Sequence, residues 1–133
     1  MGSIVVILAT DAPLLPHQCQ RLAQRASIGI ARTGGGTEDS SGDLFLAFAT
    51  GNQDLPAADY GRKGLPFSSA LQMVNNDHIS PLFSAAAEAV EEAIINAILA
   101  GETMNTDDGV QVPGLMGETL LQALHDTGWS VSR

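Results

Sequence analysis

Two stretches, Ile4-Val5-Val6-Ile7-Leu8-Ala9-Thr10 and Leu44-Phe45-Leu46-Ala47-Phe48-Ala49-Thr50, restrict what this chain can fold into. Each is too short to span a bilayer, and the first is too rich in β-branched residues for a comfortable helix, so both read as strands. Their apolar residues are consecutive instead of alternating, the pattern of a strand covered on both faces. Periodicity elsewhere yields three helices and one weaker strand at 69–74, whereas sheets in globular proteins average about five to six strands. Three helices cannot cover two doubly apolar strands without leaving open apolar edges. The chain therefore reads as one α/β (α+β) domain over residues 1–133 whose sheets are completed by a second polypeptide.

The helices follow from spacing and punctuation. Asp11-Ala12-Pro13 turns the chain, and Pro16 suits the first turn of a helix over 16–32. Leu15, Cys19, Leu22, Ala26 and Ile30 form its packed face, with Gln18, Arg21, Gln24 and Arg25 facing elsewhere. Gly34-Gly35-Gly36 ends it and opens a polar loop through Asp43. Residues 51–67 show no period, and a structureless loop of that length is unusual in a compact domain. Ser80 as N-cap and Pro81 as first residue begin the longest helix, 81–100, which stops at Gly101. Its packed stripe is Leu82, Ala86, Val90, Ala93, Ala97 and Ile98. Asn105-Thr106-Asp107-Asp108-Gly109 reads as a loop, and a short helix over 117–126 precedes a polar tail with Trp129.

Charge and residue chemistry remove several function classes. Six Lys and Arg against fifteen Asp and Glu give a net charge of −9, which disfavours nucleic-acid backbones and anionic membranes as partners. The single Cys19 cannot form an internal disulfide and reads as a small buried apolar residue. No residue pattern calls for a cofactor or a metal: Glu88, Glu91 and Glu92 make a solvated helix face without His support, and residues 105–109 lack calcium-loop spacing and the closing Glu. The triple glycine lacks the following Lys of a phosphate loop. His17, His78 and His125 share no spacing and read as surface or packing residues. The apolar start lacks a basic leader and a small-residue cleavage site, so a cytoplasmic location is expected, with a periplasmic one open because any export signal would lie on an upstream half.

Ser3, a hydroxyl at the end of a rigid strand, is the first candidate for chemistry. Met-Gly-Ser is also what a cloning vector leaves at a chain start, so residues 1–2 are read as residual or vector-derived. A Gly-Ser junction heading a buried strand, in a chain that lacks part of its sheets, has a mechanistic explanation in self-cleaving enzymes. There the hydroxyl attacks the preceding peptide carbonyl, the acyl group moves from nitrogen to oxygen, and hydrolysis leaves the nucleophile as a new N-terminus. The freed α-amine, with a pKa of about 7.7 to 8.0, is then a base tied beside the hydroxyl it activates.

These residues also carry a resemblance. The run from Gly2 to Pro16, then Arg21-Leu22-Ala23, Gly29-Ile30-Ala31-Arg32-Thr33-Gly34-Gly35, Ser41-Gly42-Asp43 and Asn76-Asp77-His78-Ile79-Ser80-Pro81-Leu82-Phe83, resemble the small β-subunit of the self-processing L-aminopeptidase D-esterase/amidase and β-peptidyl aminopeptidase family. The resemblance spans nearly the whole chain. It implies part of an αββα sandwich similar to N-terminal nucleophile hydrolases, completed by an upstream α-subunit of the same precursor. It further implies cleavage after Gly2 and a higher oligomer of heterodimers. Ser3 matches the family's nucleophile and Ser41 a second serine near it, while Asp43 stands where the pattern has Glu. A hydroxyl and a carboxylate at alternate positions entering a strand can point the same way and orient the Ser3 amine and hydroxyl. Oxyanion donors and most of the specificity pocket are expected on the upstream half.

The expected function is thus a serine aminopeptidase subunit that removes N-terminal residues from small peptides, amides or esters through an acyl-enzyme on Ser3. The alternatives are a noncatalytic binding or assembly subunit of the same fold and an acyltransferase of related architecture.

Overall fold

In a computed structural model, which describes residues 2–56, 64 and 66–130, the two apolar runs form strands and pair with each other. β1 (Val5–Thr10) and β2 (Leu44–Ala49) lie parallel in the register Val5↔Leu44 through Thr10↔Ala49. A parallel pair needs a crossover, and here α1 (Pro16–Ala23) and α2 (Ala26–Arg32) supply it. Then follow a single 3₁₀ turn (Asn76–His78) and α3 (Ser80–Ala100), the two-residue strands β3 (Met104–Asn105) and β4 (Gln111–Val112), and α4 (Gly117–Asp126). The chain divides into two compact units, Met1–Glu91 and Glu92–Arg133. No helix among the described residues is long and apolar enough to cross a membrane.

In the first unit, one face of the β1–β2 sheet is covered and the other is bare. Leu8, Ala47 and Ala49 pack on a core of Leu14, Leu22, Ile79, Phe83 and Ala86, and Val6 is buried on the same face. The opposite alternation exposes Val5 (68%), Ile7 (61%), Leu44 (67%), Leu46 (57%) and Phe48 (46%). The cover expected on both faces is therefore present on one only.

The helix expected over 16–32 is two helices. At the break, the Ser27 hydroxyl donates to the Gln24 carbonyl at 2.8 Å, taking an acceptor that an unbroken helix would offer to a backbone N–H four residues on. The Ile28 N–H turns instead to the Arg25 carbonyl at 3.1 Å, a tighter turn that reorients α2. Close approach of α2 to α3 depends on Gly29, where a Cβ would lie 2.6 Å from the Ala87 carbonyl oxygen and 2.7 Å from Val90 Cβ.

Gln18, expected on the outer face, is completely buried. Its Oε1 accepts from the Leu15 N–H at 3.2 Å, and its Nε2 donates to the Val74 carbonyl at 2.7 Å and to Asn76 Oδ1 at 3.3 Å. One amide thus satisfies the start of α1 and ties it to the segment ahead of α3, which is how a buried polar side chain is tolerated. Cys19 is partly buried against the same core.

Residues 69–74 form no strand. The Gln72 N–H donates to Asn52 Oδ1 at 2.8 Å, and Asn52 Nδ2 donates to the Gln72 carbonyl at 3.0 Å, so a side-chain amide takes the place of a neighbouring strand. Val74 N–H goes to the Pro13 carbonyl at 3.0 Å. Of the aperiodic segment 51–67, positions 57–63 and 65 lie outside the described residues.

α3 starts at Ser80, with Pro81 in its first turn, and buries Phe83, Ala86, Ala87 and Val90. Ala86 and Val90 keep their expected place, whereas Ala93, Ala97 and Ile98 are exposed, so the apolar stripe outruns the core it packs on. Glu91 is not simply solvated; it pairs with Arg32 Nη1 at 3.2 Å. His17, His78 and His125 are all exposed.

In the second unit, the loop expected at 105–109 is the tip of a hairpin in which Met104 pairs with Val112 and Asn105 with Gln111. Two-residue strands are too short to leave an alternation in the sequence. The Thr106 hydroxyl, then the Val110 N–H, bond the Asp108 carboxylate and hold its pKa below the usual value. α4 has the bounds that the sequence implied, although none of its residues is buried.

Candidate active site

The candidate site is the upstream continuation of the β1–β2 pairing. Across the ladder each residue faces the one 39 positions later, as in Val5↔Leu44, and the last backbone bond runs from the Leu44 N–H to the Ile4 carbonyl at 3.0 Å. Beyond it the register persists but side chains enter the bonds. Ile4 N–H donates to Asp43 Oδ1 at 3.2 Å, Gly42 N–H donates to Ser3 Oγ at 2.9 Å, and Ser41 Oγ lies 3.3 Å from the Gly2 carbonyl oxygen; each pair is 39 residues apart. Three consecutive residues, 41 to 43, thus grip three consecutive residues, 2 to 4. The grip sits where the chain leaves a polar loop, closed by the Ser41 N–H on the Glu38 carbonyl at 2.9 Å.

Ser41 and Asp43 are also bonded to each other, with Ser41 Oγ 2.6 Å from Asp43 Oδ1. A hydroxyl carries one proton, and the shorter contact to a carboxylate is the stronger one, so Ser41 donates there first. The Gly2 carbonyl oxygen stands within reach of the same hydroxyl. When that oxygen gains negative charge, the Ser41 proton can turn towards it. The Asp43 carboxylate reaches both the Ile4 N–H and the Ser41 hydroxyl through one oxygen.

All three residues that the sequence singled out, Ser3, Ser41 and Asp43, meet here beside the Gly2–Ser3 peptide. Ser41 and Asp43 are half-buried, and Ser3 is exposed. Ser3 shares the strand parity of Val5 and Ile7, the residues of the bare sheet face. Behind Ser41 and Asp43, a cavity of about 310 Å³ extends between Ile30, Thr37 and Phe45. Sequence reasoning passed over Gly42, whose contribution is a backbone N–H and so leaves no trace in residue chemistry; the only signal was its place between the other two. No group of His, Cys, Asp and Glu able to hold a metal occurs among the described residues.

The pattern that defines peptidase family S58 matches residues 1–112 of this sequence. The chain belongs to that family. The S58 chain is 40% identical over 114 residues to the β-peptidyl aminopeptidase BapA of Sphingosinicella microcystinivorans, covering 86% of this chain and 27% of that protein. It is 34% identical over 123 residues to the BapA of Sphingosinicella xenopeptidilytica, covering 92% and 29%. Among solved structures it is similar to a Burkholderia sp. β-aminopeptidase, with 66% identity, a TM-score of 0.88 and coverage of 97% of this chain and 36% of that one. It is likewise similar to the L-aminopeptidase D-Ala-esterase/amidase of Ochrobactrum anthropi, described as a prototype serine aminopeptidase and a new variant among the Ntn hydrolase fold. That pair shares 42% identity and a TM-score of 0.81 over 95% of this chain and 34% of the other. The S58 chain therefore has the fold of one portion of an Ntn hydrolase variant, and it spans between a quarter and a third of the length of the curated relatives it matches.

Proposed function

We propose that the chain is the nucleophile-bearing part of a self-processing serine aminopeptidase, with Ser3 as nucleophile. The observation that carries this reading is the in-register grip of residues 41–43 on residues 2–4, which holds the Ser3 hydroxyl on the Gly42 N–H and brings the Ser41 hydroxyl to the carbonyl oxygen of the peptide bond ahead of Ser3. In the processing step Ser3 Oγ bonds to the Gly2 carbonyl carbon, the oxyanion forms on the Gly2 oxygen opposite Ser41, and the Gly2–Ser3 C–N bond breaks. The hydroxyl proton passes to the departing nitrogen, leaving an ester. Water then adds to the acyl carbon, restores the Ser3 hydroxyl and releases the upstream segment as a carboxylate. Ser3 keeps a free α-amine.

In turnover that amine takes the hydroxyl proton as Ser3 Oγ attacks the substrate carbonyl, and returns it to the leaving amine or alcohol. Ser41 and Asp43 orient the pair. The relatives' names, β-peptidyl aminopeptidase and L-aminopeptidase D-Ala-esterase/amidase, support amino-terminal β- or L-residues of small peptides and D-Ala esters and amides as the substrate class. The partner is the upstream portion of the same precursor, which covers the bare face of Val5, Ile7, Leu44, Leu46 and Phe48 and supplies the oxyanion donors; such heterodimers then oligomerise. Its support is the share of the relatives' length that lies outside this chain together with that open apolar face.

The test is to express the chain with its upstream portion and assay an amino-acyl nitroanilide beside intact-mass analysis. Ser3→Ala is expected to remain uncleaved at Gly2 and to lose activity by at least about 10³-fold. Wild-type turnover in Ser3→Ala overturns the proposal. A fully assembled wild-type protein that retains the Gly2–Ser3 bond and turns over nothing favours the noncatalytic assembly subunit.

A further inference from the structure

Ser41 and Asp43 account for two of the three residues in the grip, and the third holds the atom that reacts. Ser3 Oγ accepts the Gly42 N–H at 2.9 Å, the shortest of the three contacts between the two segments. We propose that the Gly42 backbone N–H positions and activates the Ser3 oxygen, a role that rests on the reading of Ser3 as nucleophile.

The argument is electrostatic and geometric. A serine oxygen that gives up its proton during attack passes through an alkoxide-like state, and a fixed N–H aimed at it stabilises that charge without reorganisation. The same bond occupies one lone pair, which fixes the side-chain rotamer and leaves the hydroxyl proton directed away from Gly42. A backbone donor suits this task because it is held by the sheet register: the ladder that pairs Val5 with Leu44 fixes where the amide of residue 42 lies relative to residue 3. The identity of the residue also matters. A Cβ at position 42 would stand 3.4 Å from Ser3 Oγ, in van der Waals contact with the oxygen, so a larger atom at the tip of residue 3 would meet it.

Two double-mutant cycles in the full precursor test this, each read as processing rate and as kcat and KM on an amino-acyl nitroanilide. Gly42→Pro removes the N–H, and Gly42→Ala keeps it while adding the methyl group; both are made with Ser3 and with Ser3→Cys. Sulfur is a weak hydrogen-bond acceptor and a larger atom than oxygen. Gly42→Pro is therefore expected to lower kcat about 100-fold with KM nearly unchanged when residue 3 is Ser, and less than about 10-fold when it is Cys. Gly42→Ala is expected to do the reverse, costing more with Cys than with Ser because the larger sulfur meets the methyl group. A purely structural Gly42 would give equal losses in both backgrounds, and that result overturns the inference. If Gly42→Pro fails to fold, as judged by near-ultraviolet circular dichroism, semisynthetic replacement of the Ser41–Gly42 amide by an ester removes the same N–H without the proline ring and is held to the same expectation. Activity surviving in Ser3→Ala would sink the parent reading, whereas an inactive Ser3→Ala with additive cycles sinks only the role of Gly42.

Discussion

The two units of the chain differ in where their order comes from. The first, Met1–Glu91, has its own core, with Leu22, Ile79 and Gln18 almost wholly withdrawn from solvent. The second, Glu92–Arg133, has a hairpin of two-residue strands and a helix, α4, with no buried residue. Both carry apolar side chains in abundance: Met104, Val112, Met116, Leu121 and Trp129 of the second unit are exposed. The contrast teaches that apolar content alone does not make a core; the first unit succeeds because a crossover brings helices back over a sheet. The bare sheet face of the first unit and the bare helix and hairpin of the second have the same need for a surface to lie on.

Four substitutions put this contrast under strain. Leu22→Ala should have the largest effect, destabilising the first unit by about 2–5 kcal/mol in urea unfolding, since Leu22 is 2% exposed and its loss leaves a cavity. Gly29→Ala comes next, at about 1–3 kcal/mol, because the new methyl group collides with the Ala87 carbonyl and forces α2 and α3 apart. In the second unit Leu121→Ala should stay within about 0.5 kcal/mol in the isolated chain, given its 59% exposure. Trp129, the sole tryptophan, reports on that unit by fluorescence, and a loss above about 2 kcal/mol there would break the contrast by revealing a core in the second unit.

The smallest effect belongs to Asp108→Asn. Hydrogen bonds from the Thr106 hydroxyl and the Val110 N–H lower the Asp108 pKa in the folded hairpin. The carboxylate thus contributes stability above its ordinary unfolded value, and that contribution fades as pH falls through the lowered folded value. Asn at 108 should flatten the acid side of a hairpin amide-shift titration, because it removes a small contribution that is present at neutral pH and already absent in acid. A shift at neutral pH as large as that of Leu121→Ala would mean that the hairpin is held by its turn.

The sequence made some of this legible and hid the rest for identifiable reasons. Strong local signals survived: the two apolar runs became β1 and β2, and Gly117 and Asp126 bound α4. The bond from Ser27 to Gln24 divided a helix whose apolar spacing carries no mark of the break. Gln18 hid in plain view, because an amide looks solvent-directed until its three partners are known. The segment 69–74 had the composition of a strand, but an asparagine side chain met its backbone where a strand would have. At the site, Ser3 was readable from its place at the end of an apolar strand, whereas Ser41 and Asp43, in a polar loop, stood out only through the family resemblance. Gly42 did not stand out, since a backbone donor acquires meaning only when a neighbouring strand sets it opposite an oxygen.

That pairing also bears on timing. Ser3 meets Gly42, and Gly2 meets Ser41, only when two parallel strands separated by a long crossover have found the offset of 39 residues. Contacts of such sequence separation form late, since the intervening chain has to be ordered first. A slip of one residue would set Ser3 opposite Ser41 or Asp43 instead of Gly42 and turn the alternation inside out. The scission proposed at Gly2–Ser3 is thereby tied to correct strand pairing: in that proposal the sheet acts as a proofreader, because a chain whose strands have not paired lacks the arrangement the cut requires.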